Sequence, residues 1–379
     1  MTEMILPGQT IGILGGGQLG RMMAIAAKQM GYRIAVLEPG ADSPCAQVAD
    51  FEINAPYDSQ DGARELASVS DVVTYEFENI DYETAKWLEE HAYLPQGGEL
   101  LAVTQDRKLE KQKINESGVA TVPYQTVATE AELHAGIHEL GYPAVLKTTR
   151  GGYDGKGQVV LRSDADMEPA LQLLQTHECI LEKWIAFAKE ISVIVTRSAT
   201  GETATFPVAE NIHVNNILHQ SIVPARITDE TAERAKRIAI QLADAFRLVG
   251  TLAVEMFLTE AGGIFVNELA PRPHNSGHYT LDACETSQFE QHIRAICGWP
   301  LGKTDLRTPV VMVNLLGQHL DQTFKKIEQF HHCKLHLYGK AEAKFNRKMG
   351  HLNILADSMD EAFETIKKLQ IWEQKGEAR

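Results

Sequence analysis

From residue 10 to about residue 101 short apolar runs alternate with helical stretches, and nothing else in this 379-residue chain restricts its fold as tightly. Ile11-Gly12-Ile13-Leu14 is followed by helical spacing over 18–30, then by Ile34-Ala35-Val36-Leu37, and later by Val72-Val73-Thr74-Tyr75. Strands joined through helices must cross back over their own sheet, so the segment predicts βαβ units and a parallel sheet. A charged helical stretch at 106–116, Gly118 as its cap and Pro123 beyond it predict a boundary in the region 104–123. With 44% hydrophobic residues the chain can bury enough for two or three domains.

Beyond the boundary the pattern changes. A helix at 130–140 precedes Ala144-Val145-Leu146-Lys147, a glycine-dense loop and Gln158-Val159-Val160-Leu161. Longer alternating segments follow at 190–197, 203–208, 251–258 and 264–269, with a helix at 229–246 between them. This predicts mixed α+β structure with antiparallel strands. The last segment, from residue 310, holds strands near 310–316, 335–338 and 351–355, then a helix from 359 to about 372.

Thirty-six Lys and Arg stand against 51 Asp and Glu, a formal charge of −15. That balance argues against broad binding to nucleic acid or anionic membrane, so an anionic ligand would have to be met by a local positive field. Five scattered cysteines, Cys45, Cys179, Cys284, Cys297 and Cys333, form no C-x-x-C pair and point to a reducing compartment, the cytoplasm. Residues 1–14 lack a basic stretch followed by an apolar one, and no run is long enough to span a bilayer, so neither secretion nor membrane insertion is expected.

Two glycine loops bear on anion binding. Gly15, Gly17 and Gly20 follow a strand and open a helix, with Glu38 ending the next strand, as in a dinucleotide-binding fingerprint. The physical content is narrower: exposed N–H groups at a helix start donate to any phosphate, and a bare crossover satisfies the same spacing. The second loop, Arg150-Gly151-Gly152-Tyr153-Asp154-Gly155-Lys156-Gly157, lies between two strands just after Lys147. A flexible basic flap suits polyphosphate, although an ordinary hairpin loop remains an alternative and the Gly-Lys-Ser/Thr ending of a P-loop is missing.

The segments around Glu255 and Glu268 form a hairpin through Glu260-Ala261-Gly262-Gly263. If Glu260 pairs with Gly263, Glu255 and Glu268 face each other, about 5 Å apart at Cβ. Two such carboxylates repel unless a cation lies between them, and oxygen ligands with open positions suit Mg²⁺ carrying a nucleotide phosphate. A slip of one residue would turn one of them to solvent.

The flap, Lys147, the segment Glu182-Lys183-Trp184-Ile185 and the acidic pair ending in Asn267-Glu268 resemble the ATP-grasp ligases over nearly the whole chain. Within them, Gly15-Gly16-Gly17-Gln18-Leu19-Gly20-Arg21-Met22, Tyr75-Glu76-Phe77-Glu78-Asn79 and, most specifically, Pro271-Arg272-Pro273-His274-Asn275-Ser276-Gly277-His278 resemble the N5-carboxyaminoimidazole ribonucleotide synthetases of purine biosynthesis. The resemblance implies an α/β and α+β fold in three parts. These are an N-terminal Rossmann-like parallel-sheet domain at 1–104, a central ATP-grasp domain at 105–300 and a small C-terminal α+β domain at 301–379.

It also implies that ATP phosphorylates bicarbonate to carboxyphosphate and that the amine of 5-aminoimidazole ribonucleotide takes up the carboxyl group. Arg107, Lys147, the flap residues Gly152, Tyr153, Asp154, Gly155, Lys156, Gly157 and Gln158, then Glu182, Lys183, Trp184, Ile185, Glu190, His213, Asn267 and Glu268 would contact ATP. Glu255 and Glu268 would hold Mg²⁺. Tyr153, Asp154 and Arg272 would lie at the bicarbonate, with Asp154 positioning or deprotonating the amine. Gln18, Glu76, His274, Asn275, Ser276, Lys340 and Arg347 would hold the ribonucleotide, and a homodimer is expected.

Rival readings are a nicotinamide oxidoreductase built on the first glycine loop, an ATP-grasp scaffold without turnover, and another ATP-grasp purine enzyme such as the formate-dependent glycinamide ribonucleotide formyltransferase. His331, His332, Cys333 and His336 invite a zinc reading, but strand alternation spreads them over two faces and a structural role is expected. Lys340, Lys344, Arg347 and Lys348 read equally as an anion site or as a solvated basic face.

Overall fold

A computed structural model describes residues 4–152 and 156–373. The N-terminal part is a parallel four-stranded sheet in the order Phe51–Ile53, Arg33–Leu37, Thr10–Leu14, Val72–Tyr75. The helix Gln18–Gln29 follows the first strand, and its buried Leu19, Met22 and Met23 join Ile11, Ile13 and Ile34 in one apolar cluster. The same cluster takes in Phe289, Ile293 and Ile296 of a much later helix, Gln288–Ile296, so the N-terminal sheet is completed by a distant part of the chain.

The second unit is a small antiparallel sheet in the order Tyr124–Val127, Cys179–Lys183, Ala144–Thr148, Gln158–Leu161. The helices Glu130–Leu140 and Met167–Leu174 cover one face, burying Leu133, Met167, Ala170 and Leu174 against Val127, Leu146 and Leu181. The first of them starts at a Thr129/Glu132 capping box, which satisfies two orphan N–H groups and sets its boundary.

The third unit is an antiparallel sheet of nine strands. Its order is Ile264–Ala270, Gly250–Thr259, Phe187–Arg197, Ala209–Val214, Ile217–Val223, Val310–Leu316, Lys348–Leu355, Cys333–Leu337, with Thr203–Thr205 beside Phe187–Arg197. The strands from Val310 onward continue this sheet through the pairing of Ile217–Val223 with Val310–Leu316. The hairpin before them turns at Asn215 and Asn216, both at positive φ, 51° and 61°, which asparagine tolerates better than other side chains with a Cβ.

The strand Ile264–Ala270 is the edge of this sheet and bears Glu268, one of the acidic pair. Its outer side is covered by the helix Arg107–Glu116 and the turn after it. Val266 N–H donates to Ala120 O at 2.9 Å and Leu269 N–H to Glu110 Oε1 at 2.8 Å, so the exposed ladder of an edge strand is satisfied locally. Among the described residues no helix is long and apolar enough to cross a membrane.

Candidate functional site

A cavity of about 490 Å³ lies between the small and large sheets. Its acidic wall is the hairpin, in which Glu255 pairs directly with Glu268. The route to that pairing differs from the expected one. The turn closes with Thr259 N–H donating to Gly263 O at 2.9 Å, not through a Glu260–Gly263 pair, which sets a register one residue short. A bulge then inserts Asn267 and restores the facing glutamates. The bulge also lets Val266 and Leu269, three apart, both remain buried, while Asn267 and Glu268 both line the cavity. Burial raises the Glu255 carboxyl well above the usual range, and the Glu268 charge adds to the rise. Two hard oxygen donors that resist being ionised together are a donor set that Mg²⁺ fits.

Opposite lies a cationic wall. Lys147 Nζ donates to Glu182 Oε2 at 2.7 Å, and Lys111 Nζ is 3.0 Å from Glu182 Oε1. Despite burial, the two ammonium groups hold the Glu182 carboxyl down to about 2. Its side chain is thus spent between lysines, while Lys183, Trp184 and Ile185 line the cavity beyond it. The N–H groups of Lys183 and Trp184 donate to Pro123 O at 2.9 Å and Pro143 O at 3.1 Å.

Arg107 grips the base of the flap, donating to Thr148 O at 2.8 Å, Gly151 O at 2.6 Å and Gly152 O at 3.1 Å. Gly152 adopts φ +78°, and a Cβ there would strike the carbonyl of Lys156, so this crossing of the flap needs glycine. Gly152, Lys156, Gly157 and Gln158 line the cavity. Tyr153, Asp154 and Gly155 lie outside the described residues.

Further along the large sheet, His213 Nδ1 is 2.7 Å from Glu190 Oε2. Burial opposes the imidazolium, but the bond from Glu190 and the charges of Glu190 and Glu255 raise His213 above its ordinary value. Phe187 and Phe257 stack at 4.6 Å between centroids and 12° between planes, giving the cavity a flat apolar wall.

Of the Pro271-to-His278 motif, Arg272, His274 and Asn275 line the cavity. Arg272 Nε and Nη2 bind both oxygens of Glu78, the latter at 2.9 Å, and Nη1 donates to Pro273 O at 3.2 Å. Half-buried His274 is pushed well below its ordinary value, first by desolvation and then by Arg272. Asn275 exchanges two amide hydrogen bonds with Asn314, at 3.0 and 2.7 Å. Ser276 is fully buried, its hydroxyl engaged by Ser192 Oγ and His274 Nδ1, each at 2.9 Å, and it does not line the cavity.

Nor do Gln18, Glu76, Lys340 and Arg347 line it. The first glycine loop holds a side chain of its own. Gly17 and Gly20 N–H both donate to the Glu76 carboxylate, and Gly16 N–H donates to Glu38 Oε2 at 2.7 Å. A Cβ at Gly17 would run into Glu76, so these glycines admit a carboxylate to the helix start. In place of the expected phosphate seat stands an internal cap, and Glu38, the candidate ribose acid of the nicotinamide reading, is bonded to Tyr57. Burial lifts Glu76 to about 7 despite the two N–H donors. Lys340 donates to Lys348 O at 2.8 Å and is lowered to about 8 by burial and then by Arg347, while Arg347 donates to Glu342 O at 3.0 Å on the exposed surface.

Sequence reasoning gave no role to Glu78, Glu110 and Lys111; Lys348, read equally as an anion site or a solvated face, lines the cavity. Glu110 is 3% exposed, next to Glu268, and is raised to about 8 by burial first and Glu268 second. Arg107, Glu110, Lys111 and Ile114 recur at helical spacing, so the one buried apolar residue of that helix marked the face on which its charges are buried. His336, from the histidine cluster, is 2.8 Å from Asp282 and stacks on His351 at 4.6 Å, whereas His331 and His332 are exposed.

Three family models match the chain: a ribonucleotide synthetase preATP-grasp domain at 8–105, an ATP-grasp domain at 112–289 and a phosphoribosylaminoimidazole carboxylase C-terminal domain at 310–365. The N5-carboxyaminoimidazole ribonucleotide synthase of Bacillus subtilis is 58% identical over 364 residues, 96% of each chain. A solved N5-carboxyaminoimidazole ribonucleotide synthetase in complex with ADP is 63% identical, with a TM-score of 0.96 over 98% of this chain and 99% of that one. The Aspergillus clavatus synthase, solved with ADP and 5-aminoimidazole ribonucleotide, is 31% identical, with a TM-score of 0.90 over 95% and 97%. With likeness of this extent over all three parts of the fold, the chain belongs to the N5-carboxyaminoimidazole ribonucleotide synthase family of ATP-grasp enzymes.

Proposed function

We propose that this chain uses ATP to carboxylate 5-aminoimidazole ribonucleotide with bicarbonate, yielding the N5-carboxyamino product of de novo purine biosynthesis. The observation that carries the reading is a single cavity with a facing Glu255/Glu268 pair on one wall and Lys147 on another, lined also by Arg272, His274 and Asn275 of the Pro271-to-His278 motif. Family membership supplies the reaction, and this juxtaposition supplies a place for it.

In this reading the adenine lies between the 182–185 backbone and the Phe187/Phe257 wall, with Glu190 and His213 toward the ribose. Lys147, Arg107 and the flap, including Tyr153, Asp154 and Gly155, take the polyphosphate. Glu255 and Glu268, with Asn267 beside them, would hold Mg²⁺, which when bound offsets charge on the phosphate oxygens. A bicarbonate oxygen attacks the γ-phosphorus and ADP leaves. Arg272, fixed by Glu78, offers N–H donors to the resulting carboxyphosphate.

The amine nitrogen of the ribonucleotide then bonds to the carboxyl carbon as the carbon–oxygen bond to phosphate breaks, and Asp154 accepts the amine proton. His274 and Asn275 hold the ribonucleotide from the cavity and Gln18, Glu76, Lys340 and Arg347 from beyond its lining, and Ser276 acts from behind His274. A division at 1–104, 105–300 and 301–379, a homodimer and a cytoplasmic setting belong to the same proposal.

The test supplies ATP, Mg²⁺ and aminoimidazole ribonucleotide with either bicarbonate or formate and follows ADP. ADP release that needs both the ribonucleotide and bicarbonate is expected. Stimulation by formate alone would refute the assignment.

A further inference from the structure

Lys111 is 1% exposed and takes no part in the roles proposed above. It projects from the helix Arg107–Glu116 with its ammonium 3.0 Å from Glu182 Oε1 and 3.4 Å from the main-chain carbonyl of Asn267, the bulge residue. The other oxygen of the same carboxylate binds Lys147 at 2.7 Å. Of the three side chains only Lys147, 19% exposed, opens appreciably toward the cavity; Glu182 is 4% exposed. The neighbouring Glu110 is committed elsewhere, to the N–H of Leu269.

A Lys147–Glu182 pair alone would be neutral and would present a phosphate with a dipole. Adding Lys111 makes the group two cations and one anion, net positive. Burying a second ammonium costs desolvation that a neutral pair would avoid, so its presence calls for a reason beyond folding. We propose that Lys111 is a positioning residue whose buried charge neutralises Glu182, leaving the field of Lys147 available to the polyphosphate of the nucleotide. Its contact with the Asn267 carbonyl ties the same cation to the strand that presents Glu268, so the cationic and acidic walls share one anchor. The inference rests on the reading that the polyphosphate lies at Lys147.

The test compares ADP with adenosine, which lacks the phosphates, by competition against a fluorescent nucleotide on the full chain. Binding of ADP by the unsubstituted protein first establishes the nucleotide reading; failure there strikes the proposed function rather than the charge count. Lys111→Met keeps the stem and removes the charge. It is expected to weaken ADP on the order of tenfold while leaving adenosine within about twofold. Lys111→Met combined with Glu182→Gln restores a single positive charge and should recover most of the ADP affinity. Glu182→Gln alone, net more positive, should bind ADP at least as tightly as the unsubstituted chain, and it decides the matter if Lys111→Met does not fold. Equal loss of ADP and adenosine, no recovery in the double variant, or selective loss of ADP in Glu182→Gln would overturn the proposal.

Discussion

Arg272 shows how one side chain divides its donors. A guanidinium carries five N–H groups in a rigid plane. Two bind the Glu78 carboxylate side by side and one binds Pro273 O, which among the described residues leaves one N–H on each terminal nitrogen for a ligand. The resemblance placed Arg272 at the bicarbonate; the structure shows that three of its five N–H groups fix the plane in which the other two can act. Burial works against the cation, and the Glu78 carboxylate more than compensates, so Arg272 stays charged. Lysine could replace the charge but not both duties, since a point cation that pairs with Glu78 has no second edge. Arg272→Lys is therefore expected to lower kcat by about a hundredfold while ADP affinity changes by less than about threefold. Steady-state ADP release with parallel ADP binding checks this, and an unchanged kcat would remove Arg272 from the reaction.

The acidic hairpin shows what an element can impose that its residues do not. Glu255 and Glu268 are held opposite each other by the ladders on both sides of Gly250–Thr259, so without a cation the sheet bears their repulsion. Glu268→Gln should accordingly leave the melting temperature of the metal-free protein unchanged or raise it, by about 0.5–1 kcal/mol of stability. The same change should cost Mg²⁺-dependent turnover on the order of a hundredfold. A matched fall in melting temperature and activity would instead make Glu268 a structural residue.

The facing of this pair was legible in the sequence, but through a turn that is not there: the closure at Thr259 and Gly263 and the bulge at Asn267 each shift the register by one, and the shifts cancel. A bulge depends on what packs behind the strand, here Val266 and Leu269, and leaves little trace in composition. The parallel strands and long helices were legible because their periodicity is local. The strands Ala209–Val214 and Ile217–Val223 went unread although Asn215-Asn216 is a turn signal, and the spacing of Glu110 and Lys111 with Ile114 marked their face of the helix but not the edge strand that covers it.

At the scale of the molecule, one chain of hydrogen bonds joins the N-terminal sheet to the acidic hairpin. His292, fully buried on Gln288–Ile296, accepts the Thr251 N–H at Nδ1 at 3.1 Å, so its proton lies on Nε2 and is donated to Thr74 Oγ1 at 2.8 Å. The Thr74 hydroxyl donates to Gln96 Oε1, and Gln96 Nε2 donates to Pro271 O at 3.1 Å, the residue before Arg272. Each link points one way, and the chain runs from Thr251, on the strand that bears Glu255, through Thr74, on the strand leading to Glu78, to the motif that Glu78 meets at Arg272. It works only with a neutral imidazole, and burial lowers His292 to about 3. The unfolded chain takes up this proton near pH 6.5, whereas the folded chain refuses it until far lower pH. Below pH 6.5 the unfolded state therefore binds more protons, and stability falls with acidification by about 1.4 kcal/mol per pH unit for this group. Glu76 and Glu110, raised by burial, act in the opposite sense, and His274, His278 and His351 in the same one, so the total slope identifies no single residue. The difference between two proteins does. His292→Gln should be less stable than the parent at pH 7.5, because the directed chain is broken, yet lose less on going to pH 5, the shortfall corresponding to one proton. Urea unfolding at pH 7.5, 6 and 5 measures it. Parallel slopes for the two proteins would mean that the seam between the sheets does not depend on the charge of His292.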